Sequence, residues 1–513
     1  MDLLNLAYKK RRTLQRELQQ GEPQQNVRRG SRFASAMALL CLITVVCSGQ
    51  SVSTFLEQAL AATPADRQAM VSTFVTTRPS SPLFESDSVA VVYYVGAATS
   101  VGLAGDFNGW DPSSTQMTRL EGTTFWYRSL TFEPDARLDY KIVRNGSDWI
   151  LDPRNPARVS GGFGPNSELA MPGYIQPDEI KAQPSVPKRA VQTTTFASAI
   201  MNSSRTLLVY TPPNYDAAAN VPYPVILYHD GTDYVNLADV PTILDNLIAA
   251  GRIEPLVALF LKPINRETEY ATTQTDLFTT MVVTELMPWA RTNYRISSDP
   301  SRTAVTGASY GGLISTQQCR RNPTVFGLCA PFSPSYWVGN GALTSEIAAS
   351  PSSGVKYYVD WGTYEGSIAA TGPAFVTILK GKGNEVKYNV WHEGHSWGSW
   401  RAHQDEMLTY FFPGSNTTSR SDLALPSPSA LAANYPNPFG PQTTIPFETS
   451  SAGLVTISVF DTLGRRVAKL VDETLPAGHH SVDFVATQLP SGVYLVQLAG
   501  NGAESVRTMH LMR

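Results

Sequence analysis

The most informative segment of this chain is Arg302-Thr303-Ala304-Val305-Thr306-Gly307-Ala308-Ser309-Tyr310-Gly311-Gly312. Its first residues suit a short buried strand, and residues 313–321 have the composition of a helix. A G-x-S-x-G pattern between a strand and a helix predicts a sharp turn that presents a serine hydroxyl at the carboxyl edge of a sheet. We therefore expect Ser309 to be a nucleophile. We also expect Gly307 and Gly311 to be required, because a Cβ there would collide with neighbouring backbone.

Apolar runs on both sides of this segment indicate an α/β sheet. Residues 224–228 and 256–261 are continuous apolar runs, which are typical of buried parallel strands. Two further strands are predicted at residues 355–359 and 386–391, and residues 277–294 have helical spacing. Strands that alternate with helices favour a parallel sheet covered by helices.

A serine nucleophile at such a turn needs an acid and then a histidine later in the chain. Of the seven histidines, His395 follows the strand of residues 386–391 in a Gly-containing loop, so we predict that it is the general base. The strand of residues 355–359 is followed by Asp360 and Glu365, and both are candidates for the acid that orients the imidazole. The position beyond a loop glycine favours Glu365.

The other histidines of this region are not expected to take part in the chemistry. His392, Glu393 and His395 depart from the H-E-x-x-H zinc pattern, because the second histidine comes one residue too early and the segment is not helical. We therefore expect no metal, and a Ser-His-acid triad needs no organic cofactor. His403 falls in a predicted amphipathic helix over residues 401–412 and is expected to lie at the surface.

The negative charge that develops on an attacked carbonyl oxygen needs two backbone N–H donors. One is expected from Tyr310, which follows the nucleophile, and the other from Thr232, in the loop after the strand of residues 224–228. Side chains near these loops either hold the acyl group of the substrate or belong to the core; they are Tyr234, Arg266, Tyr336, Trp337 and Trp397. The alternative for Arg266 is an ion pair with Glu269 in its own loop.

Length and charge limit the remaining possibilities. The 513 residues are too many for one domain. Residues 1–50 contain eight Lys and Arg, which leaves 32 basic against 40 acidic residues elsewhere, so nucleic acid is an unfavourable partner. Basic residues before an apolar run at residues 33–47 predict a secretory signal, with a single membrane anchor as the alternative. Cleavage would leave Cys319 and Cys329, as one disulfide or as buried thiols.

The region before residue 176 carries its own signature. A helical lead-in is predicted at residues 51–84, and the segment Gly105-Asp106-Phe107-Asn108-Gly109-Trp110 follows within strand-like sequence. This segment resembles the small N-terminal β-sandwich of glycogen-branching enzymes and isoamylases. The resemblance implies an E-set, carbohydrate-binding-module-like domain over residues 85–175, which either binds polysaccharide or packs against the next domain.

The end of the chain is again strand-like. Asn434-Tyr435-Pro436-Asn437-Pro438-Phe439 is followed by alternating segments and Gly turns. This sequence pattern resembles the C-terminal sorting domain of the type IX secretion system, here over residues 431–513. The resemblance implies the secretion machinery as a partner, and a protein that passes through the periplasm and is released or held at the outer surface.

The central region resembles the esterase D / enterochelin esterase-like family of α/β hydrolases. The resemblance rests on ordered motifs that include residues 210–215, residues 307–312 and residues 393–397. It implies a domain over residues 188–414, between linkers at residues 176–187 and 415–430. Members cleave carboxylic esters of siderophores, of feruloyl or acetyl groups on polysaccharide, and of S-acyl glutathione.

The expected architecture is multidomain: an α/β hydrolase fold between N-terminal and C-terminal immunoglobulin-like β-sandwiches. The expected function is that of a secreted serine esterase that hydrolyses carboxylic esters through an acyl-enzyme, of the feruloyl, acetyl-polysaccharide or siderophore type. Two alternatives stay open at this point. One is a weakly catalytic or non-catalytic protein that binds glycan or the cell surface, and the other is an acyltransferase with the same triad.

Overall fold

The computed structural model describes residues 51–189, 191–416, 430–431, 434, 437–449, 452–476, 478–500 and 503–512. The predicted signal, residues 1–50, lies outside the described residues, as does most of the predicted linker at residues 415–430. Within the described part of the chain, no helix is long and apolar enough to cross a bilayer.

The predicted lead-in forms two helices, α1 (Val52–Ala61) and α2 (Pro64–Thr77). The Ser51 hydroxyl accepts a hydrogen bond from the Thr54 N–H and so satisfies one of the free donors at the start of α1. Phe55 and Phe74 stack with ring centroids 4.0 Å apart. These rings belong to a cluster that includes Val91, Tyr93 and Phe125, so the helices pack on the sandwich that follows.

The strands of the N-terminal region are β1 (Leu83–Phe84), β2 (Val89–Val95), β3 (Val101–Gly105), β4 (Thr118–Arg119), β5 (Phe125–Thr131), β6 (Arg137–Arg144), β7 (Asp148–Ile150), β8 (Arg158–Val159) and β9 (Asn166–Ala170). They form one antiparallel sheet of order β1-β2-β5-β4 and a second of order β3-β6-β9-β8, with β7 paired to β6. Leu103, Leu138 and Trp126 are buried between the two sheets.

A Pro-rich segment leads from this region to the central one and is held in place by polar contacts. Asn246 Nδ2 donates to the backbone oxygens of Glu179 and Lys181, at 2.7 and 2.8 Å. Arg252 forms an ion pair with Glu179. The predicted linker is thus fixed to the surface of the central region.

The central region is built on one large sheet. Its strands are β10 (Gln192–Ser198), β11 (Ser203–Tyr210), β12 (Val225–His229), β13 (Val257–Leu261), β14 (Thr303–Ala308), β15 (Leu328–Phe332), β16 (Lys356–Gly362) and β17 (Val386–Trp391). The order is β10-β11-β13-β12-β14-β15-β16-β17. Strands β12 to β17 run parallel to one another, while β10 and β11 are antiparallel to their neighbours.

Helices cover both faces of this sheet: α3 (Gly231–Asn236), α4 (Val240–Ala249), α5 (Arg266–Tyr270), α6 (Thr275–Met281), α7 (Met287–Asn293), α8 (Tyr310–Arg321), α9 (Ala342–Ala349), α10 (Ser367–Gly381), α11 (Trp397–Ala402) and α12 (Gln404–Phe411). Successive side chains of β12 point to opposite faces. Val225 and Leu227 accordingly join one core cluster, and Ile226 and Tyr228 join the other.

Three sequence expectations for this region are settled by the structure. Cys319 and Cys329 are free, buried thiols. The helical spacing at residues 277–294 is real, but a π-helical turn at Val282–Leu286 separates α6 from α7. The helix predicted over residues 401–412 is present as α12, but it starts later than expected, because non-helical backbone at His403 separates it from α11.

The C-terminal region forms two antiparallel sheets. Its strands are β18 (Ala430–Leu431), β19 (Gln442–Thr449), β20 (Gly453–Asp461), β21 (Arg466–Leu475), β22 (Gly478–Val485), β23 (Gly492–Gly500) and β24 (Ala503–Leu511). The sheet orders are β18-β19-β22 and β21-β20-β23-β24. Ile445, Ile457 and Val496 are among the residues buried between the sheets.

Candidate active site

Ser309 stands at a strained turn between β14 and α8. Its backbone has φ +61° and ψ −118°, a conformation that L-residues rarely adopt and that the surrounding structure must enforce. A Cβ on Gly307 would lie 2.7 Å from the backbone of Gly311, which confirms the predicted need for glycine there. A Cβ on Gly311 would meet Asp230 Oδ2 at 3.1 Å, a side chain, so the predicted backbone collision at that position is wrong.

The parallel strands bring four polar side chains to one edge of the sheet. Ser309 follows β14, Ser333 follows β15, Glu365 follows β16 and His395 follows β17. These strands are consecutive neighbours in the sheet, so their carboxyl ends meet at the same edge. In α/β proteins, the active site usually lies at the carboxyl ends of the parallel strands.

Glu365 is oriented toward the imidazole of His395. Its Oε2 atom lies 3.7 Å from His395 Nδ1, and the carboxylate is fully buried while the imidazole is about one third exposed. The other carboxylate oxygen, Oε1, accepts a 2.7 Å hydrogen bond from Ser333 Oγ. Among the described residues, Oε2 has no hydrogen-bond partner. Contacts of catalytic groups are often long before substrate is bound, and this one is close enough to become a hydrogen bond.

Asp360 lies in the interior of β16 rather than in a loop. Its Oδ2 atom is 3.4 Å from both Tyr358 Oη and Trp391 Nε1. Complete burial, followed by the nearby charge of Glu365, raises the pKa of Asp360 well above its usual value. Burial disfavours the charged form of this carboxyl, and a charged acid is what stabilises an imidazolium, so the surroundings of Asp360 are less suited to the role of triad acid than those of Glu365.

Two serines that the sequence reasoning missed support the site. Trp400 Nε1 donates to Ser333 Oγ at 2.9 Å, which in turn donates to Glu365 and so fixes the carboxylate. Ser335 Oγ lies 3.2 Å from Ser309 Oγ and so contacts the hydroxyl of the candidate nucleophile. Their position directly after β15 was the available signal, because this strand lies between the nucleophile strand and the acid strand.

The two predicted oxyanion donors both lie at helix starts. Tyr310 is the first residue of α8, and Thr232 is the second residue of α3. The first four N–H groups of a helix have no intrahelical acceptor, and the helix dipole favours negative charge at this end. Gly231 allows the close approach of α3 to the sheet, since a Cβ there would lie 2.1 Å from the backbone of Phe260.

Arg266 connects the oxyanion loop to the nucleophile turn. Its guanidinium forms a two-point ion pair with Asp230, with both distances at 2.8 Å, and donates to the Ala308 carbonyl at 3.0 Å. It also lies 5.4 Å from the centre of the Tyr310 ring. Glu269 pairs instead with Arg205. The alternative ion pair between Arg266 and Glu269 is therefore wrong.

The aromatic candidates divide into core and surface. Tyr336 is 1% exposed and its hydroxyl contacts Thr316 at 2.9 Å, while Tyr234 is 0% exposed, so placing either of them in the acyl site was wrong. Trp397 packs at right angles to Tyr234 and is also buried. Trp337 is 47% exposed, and its ring centre lies 6.2 Å from that of Tyr310. It is therefore an exposed ring beside that of Tyr310.

His392 and His403, the histidines near His395 in sequence, have structural partners. His403 is buried, stacks on Trp391 at 3.8 Å and contacts Glu393 through Nε2 at 2.8 Å. Its predicted place at the surface is therefore wrong, because the break between α11 and α12 turns the ring inward. His392 contacts Asp135, a residue of the N-terminal region, at 2.7 Å.

Comparison with known families divides the chain in the same way. Residues 78–154 match the family described as "Carbohydrate-binding module 48 (Isoamylase N-terminal domain)". Residues 198–411 match the family described as "Putative esterase", and residues 433–511 match "Secretion system C-terminal sorting domain". The strand-turn-helix of Ser309 and the loop of His395 both lie inside the esterase match.

Characterised relatives and solved structures include esterases. The iron(III) enterobactin esterase of Dickeya dadantii is 24% identical over 364 residues, which cover 62% of this chain and 83% of the relative. An endo-1,4-beta-xylanase/feruloyl esterase of Xylanibacter ruminicola is 26% identical over 238 residues, which cover 43% of this chain and 31% of the relative. The ferric enterobactin esterase of Salmonella typhimurium shares the fold, with a TM-score of 0.57, 21% identity, and coverage of 66% of this chain and 98% of that one.

These findings agree with the geometry of the sheet edge. The C-terminal match places the protein among those that the type IX system delivers to the cell surface or the extracellular space. Residues 198–411 match the esterase family, and the chain is an exported carboxylic ester hydrolase.

Proposed function

We propose that this hydrolase is a serine esterase that works through an acyl-enzyme. Ser309 Oγ attacks the ester carbonyl while His395 accepts its proton, and His395 returns that proton to the departing alcohol oxygen. Water, activated by His395, then hydrolyses the acyl-serine and regenerates the hydroxyl. Glu365 fixes the tautomer of His395 and stabilises the imidazolium that forms in each step.

One observation carries this proposal. The buried Oε2 atom of Glu365 faces His395 Nδ1 at 3.7 Å, and its other oxygen is already bonded to Ser333. A buried carboxylate oxygen without a hydrogen bond is costly unless it serves a function. Support for the imidazole is such a function. The strands that precede Glu365 and His395 lie on the same side of the Ser309 strand and end at the same edge of the sheet, which supports the proposal.

The charge of the tetrahedral intermediate is assigned to the N–H groups of Thr232 and Tyr310. Both belong to the first turn of a helix, where the backbone N–H groups lack intrahelical acceptors and negative charge is favoured. Removal of one such donor typically costs about 10²- to 10³-fold in kcat. Arg266 links the starts of α3 and α8, because it bonds both to Asp230 and to the Ala308 carbonyl.

The substrate proposed here is an ester with an aromatic acyl group. The exposed Trp337 and the Arg266 guanidinium lie 6.2 and 5.4 Å from the ring of Tyr310, which follows Ser309 in the chain, and this group of side chains offers stacking and cation–π contacts to such an acyl group. Relatives named as enterobactin and feruloyl esterases support this class. Faster turnover of methyl ferulate than of methyl acetate would support it, and the reverse order would contradict it.

Polysaccharide is a second proposed partner, bound by the N-terminal region as an immunoglobulin-like sandwich. Trp149 on β7 is 44% exposed, whereas Trp126 is buried in the core. An exposed indole is a suitable platform for a sugar ring. Retention of the protein on insoluble xylan or starch, lost on Trp149→Ala, would support this binding mode, and unchanged retention would contradict it.

The triad is tested with three variants in the full chain. Ser309→Ala should lower kcat for p-nitrophenyl acetate by at least about 10⁴-fold, because the nucleophile is lost. Glu365→Gln should lower kcat by roughly 10²- to 10⁴-fold, because an amide cannot stabilise the imidazolium. The matched change Asp360→Asn should leave kcat within about tenfold, since that carboxyl lies inside the sheet beside Tyr358 and Trp391.

Two outcomes would contradict the proposal. Full hydrolysis by the Ser309→Ala protein would remove Ser309 from the mechanism. A larger kcat loss for Asp360→Asn than for Glu365→Gln would exchange the acids. Circular dichroism of each variant shows whether a loss reflects chemistry or unfolding, and product analysis with added alcohols separates hydrolysis from acyl transfer.

A further inference from the structure

The N-terminal sandwich reaches the loop that carries His395. The backbone N–H of Arg137, the first residue of β6, donates to the His392 carbonyl at 3.0 Å. Arg137 and Glu393 are also paired as a parallel β-bridge. A residue of the sandwich thus continues the hydrogen bonding of β17 at the point where that strand ends and the loop begins.

The side chain of Arg137 enters the same loop. It is fully buried, and Nη1 donates to Ser396 Oγ at 3.0 Å. Nη2 lies 2.8 Å from Asp139 Oδ1 and 2.7 Å from Glu168 Oε2, two carboxylates of the sandwich. Its charge is therefore balanced within the sandwich, while its remaining donor holds the residue next to His395.

Glycines on both sides of His395 make this approach possible. A Cβ on Gly398 would lie 1.9 Å from Arg137 Nη2, and a Cβ on Gly394 would lie 2.0 Å from the Cγ atom of Asp106. Asp106 is itself fixed, since its carboxylate accepts bonds from Trp110 Nε1 at 3.1 Å and from a backbone N–H of β6. The sandwich therefore packs directly against backbone before and after the histidine.

The loop of the candidate acid is held from the same side. Tyr364, which precedes Glu365, donates from its hydroxyl to Glu133 of the sandwich at 2.6 Å. Its backbone N–H donates to the Glu393 carbonyl at 3.2 Å, so the acid loop and the histidine loop are joined to each other. Its ring also packs on Phe132. Two of the three proposed catalytic loops thus contact the sandwich.

We propose that Arg137 is a positioning residue of the esterase and that the N-terminal sandwich completes the active site. The inference rests on the proposed function, because it assigns Arg137 the task of fixing His395 against Glu365. The histidine loop between β17 and α11 is short and irregular, and the imidazole at its tip is partly exposed. Without Arg137 the loop keeps its covalent ends but loses its buried lateral support.

The experiment measures kcat per active site in the full chain. A fluorophosphonate reagent titrates reactive Ser309, and p-nitrophenyl acetate gives kcat and KM. For Arg137→Met, we expect kcat per titrated site to fall roughly 10- to 100-fold while KM stays within about twofold, because a misplaced base slows chemistry more than binding of a small ester. Arg137→Lys should recover part of kcat, since an ammonium can still bond to Ser396.

Arg252→Met is the matched control. Arg252 also pairs with two carboxylates, Glu179 and Asp405, but these lie between the linker and α12 rather than at the histidine loop. This variant should lower the melting temperature and the titrated fraction, yet keep kcat per site. A structural role for Arg137 would give the same pattern, so unchanged kcat per site in Arg137→Met would overturn the inference.

A second variant keeps the test decisive if Arg137→Met does not fold. Ser396→Ala removes the acceptor of the Arg137 Nη1 bond and leaves the ion pairs of the sandwich intact. We expect kcat per site to fall about three- to tenfold, and unchanged kcat would then overturn the inference. Failure of the proposed function has a different signature, because wild-type protein would then show no Ser309 labelling at all.

Discussion

The two β-sandwiches at the ends of the chain differ in their relation to the hydrolase sheet. Tyr364 of the hydrolase packs against the core of the N-terminal sandwich, and Arg137 of the sandwich is buried against the histidine loop. The core cluster of the C-terminal sandwich instead draws its members from residues 431–511. The N-terminal sandwich is thus joined to a proposed catalytic loop, whereas the C-terminal sandwich has a core of its own.

This difference separates a domain that can affect catalysis from a domain that directs export. A domain that shares buried charges with the active site can influence the reaction, because any shift of its position moves the base. A domain with a self-contained core can be recognised by export machinery without any effect on catalysis. The comparison therefore predicts opposite consequences when each sandwich is altered.

The largest contrast is expected from deletion of either domain. Removal of residues 51–175 should lower kcat per titrated site by about 10²-fold or more, because the histidine loop loses its lateral support. Removal of residues 431–513 should leave kcat within about twofold but abolish delivery to the surface or medium of a host with type IX secretion. Enzyme assays measure kcat, and immunoblots of cell fractions measure delivery. Equal kcat losses in the two deletions would contradict the proposed difference between the sandwiches.

An intermediate effect is expected from a single methyl group. Gly394→Ala places a Cβ within 2.0 Å of Asp106 Cγ, so the histidine loop must move away from the sandwich and kcat should fall about tenfold. Gly440→Ala is the matched change in the C-terminal sandwich, where an added Cβ meets nothing within 4 Å. Its kcat and melting temperature should stay at wild-type values. Equal activity of the two variants would argue against a tight contact at Gly394.

The smallest effect concerns the ion pair of His392 with Asp135. Although burial lowers the pKa of His392, the hydrogen bond and charge of Asp135, with a contribution from Glu133, raise it above the usual value against the opposing charge of Arg507. The stabilisation is complete below about pH 6.5, the usual histidine pKa, and is lost as pH rises through the raised value. Asp135→Asn should therefore lower the melting temperature by about 1 to 3 °C at pH 6 and hardly at all at pH 9.

Asp461→Asn provides the matched measurement in the other sandwich. Hydrogen bonds from the Arg465 backbone and side chain lower the pKa of Asp461, although its slight burial opposes this. Its contribution is present above the usual aspartate pKa and is lost only as pH falls through the lowered value. The effect of this substitution should thus be the same at pH 6 and pH 9. A pH-independent effect of Asp135→Asn would remove His392 from the explanation.

Much of the hydrolase could be predicted from local sequence. Glycine requirements, a buried strand and a following helix coincide at Ser309, and β17 has the predicted bounds, Val386–Trp391. Chain order and a loop glycine after a strand led to the prediction of His395. The sequence favoured Glu365 over Asp360 as the acid, and the sheet adds support, because β16 continues through Asp360 and places that carboxyl inside the core.

Other features depend on contacts between distant segments. Arg137 and Ser396 are 259 positions apart, and nothing in the composition around either one signals a partner in the other domain. His403 follows helical spacing but lies at a break, where the ring stacks on Trp391. Ser335 is separated from Ser309 by 26 positions and meets it only because β14 and β15 are neighbours. Such pairings follow from tertiary packing and not from periodicity.

The burial of Arg137 also bears on how such chains exchange domains. Gene fusion within residues 176–187 would unite a foreign sandwich with this hydrolase, yet the arginine and its acceptor at Ser396 would then come from different parents. Gly394 and Gly398 would face side chains for which they were not selected. The N-terminal sandwich and the histidine loop should therefore be exchanged together when such genes recombine. The sorting domain can be transferred between enzymes by itself.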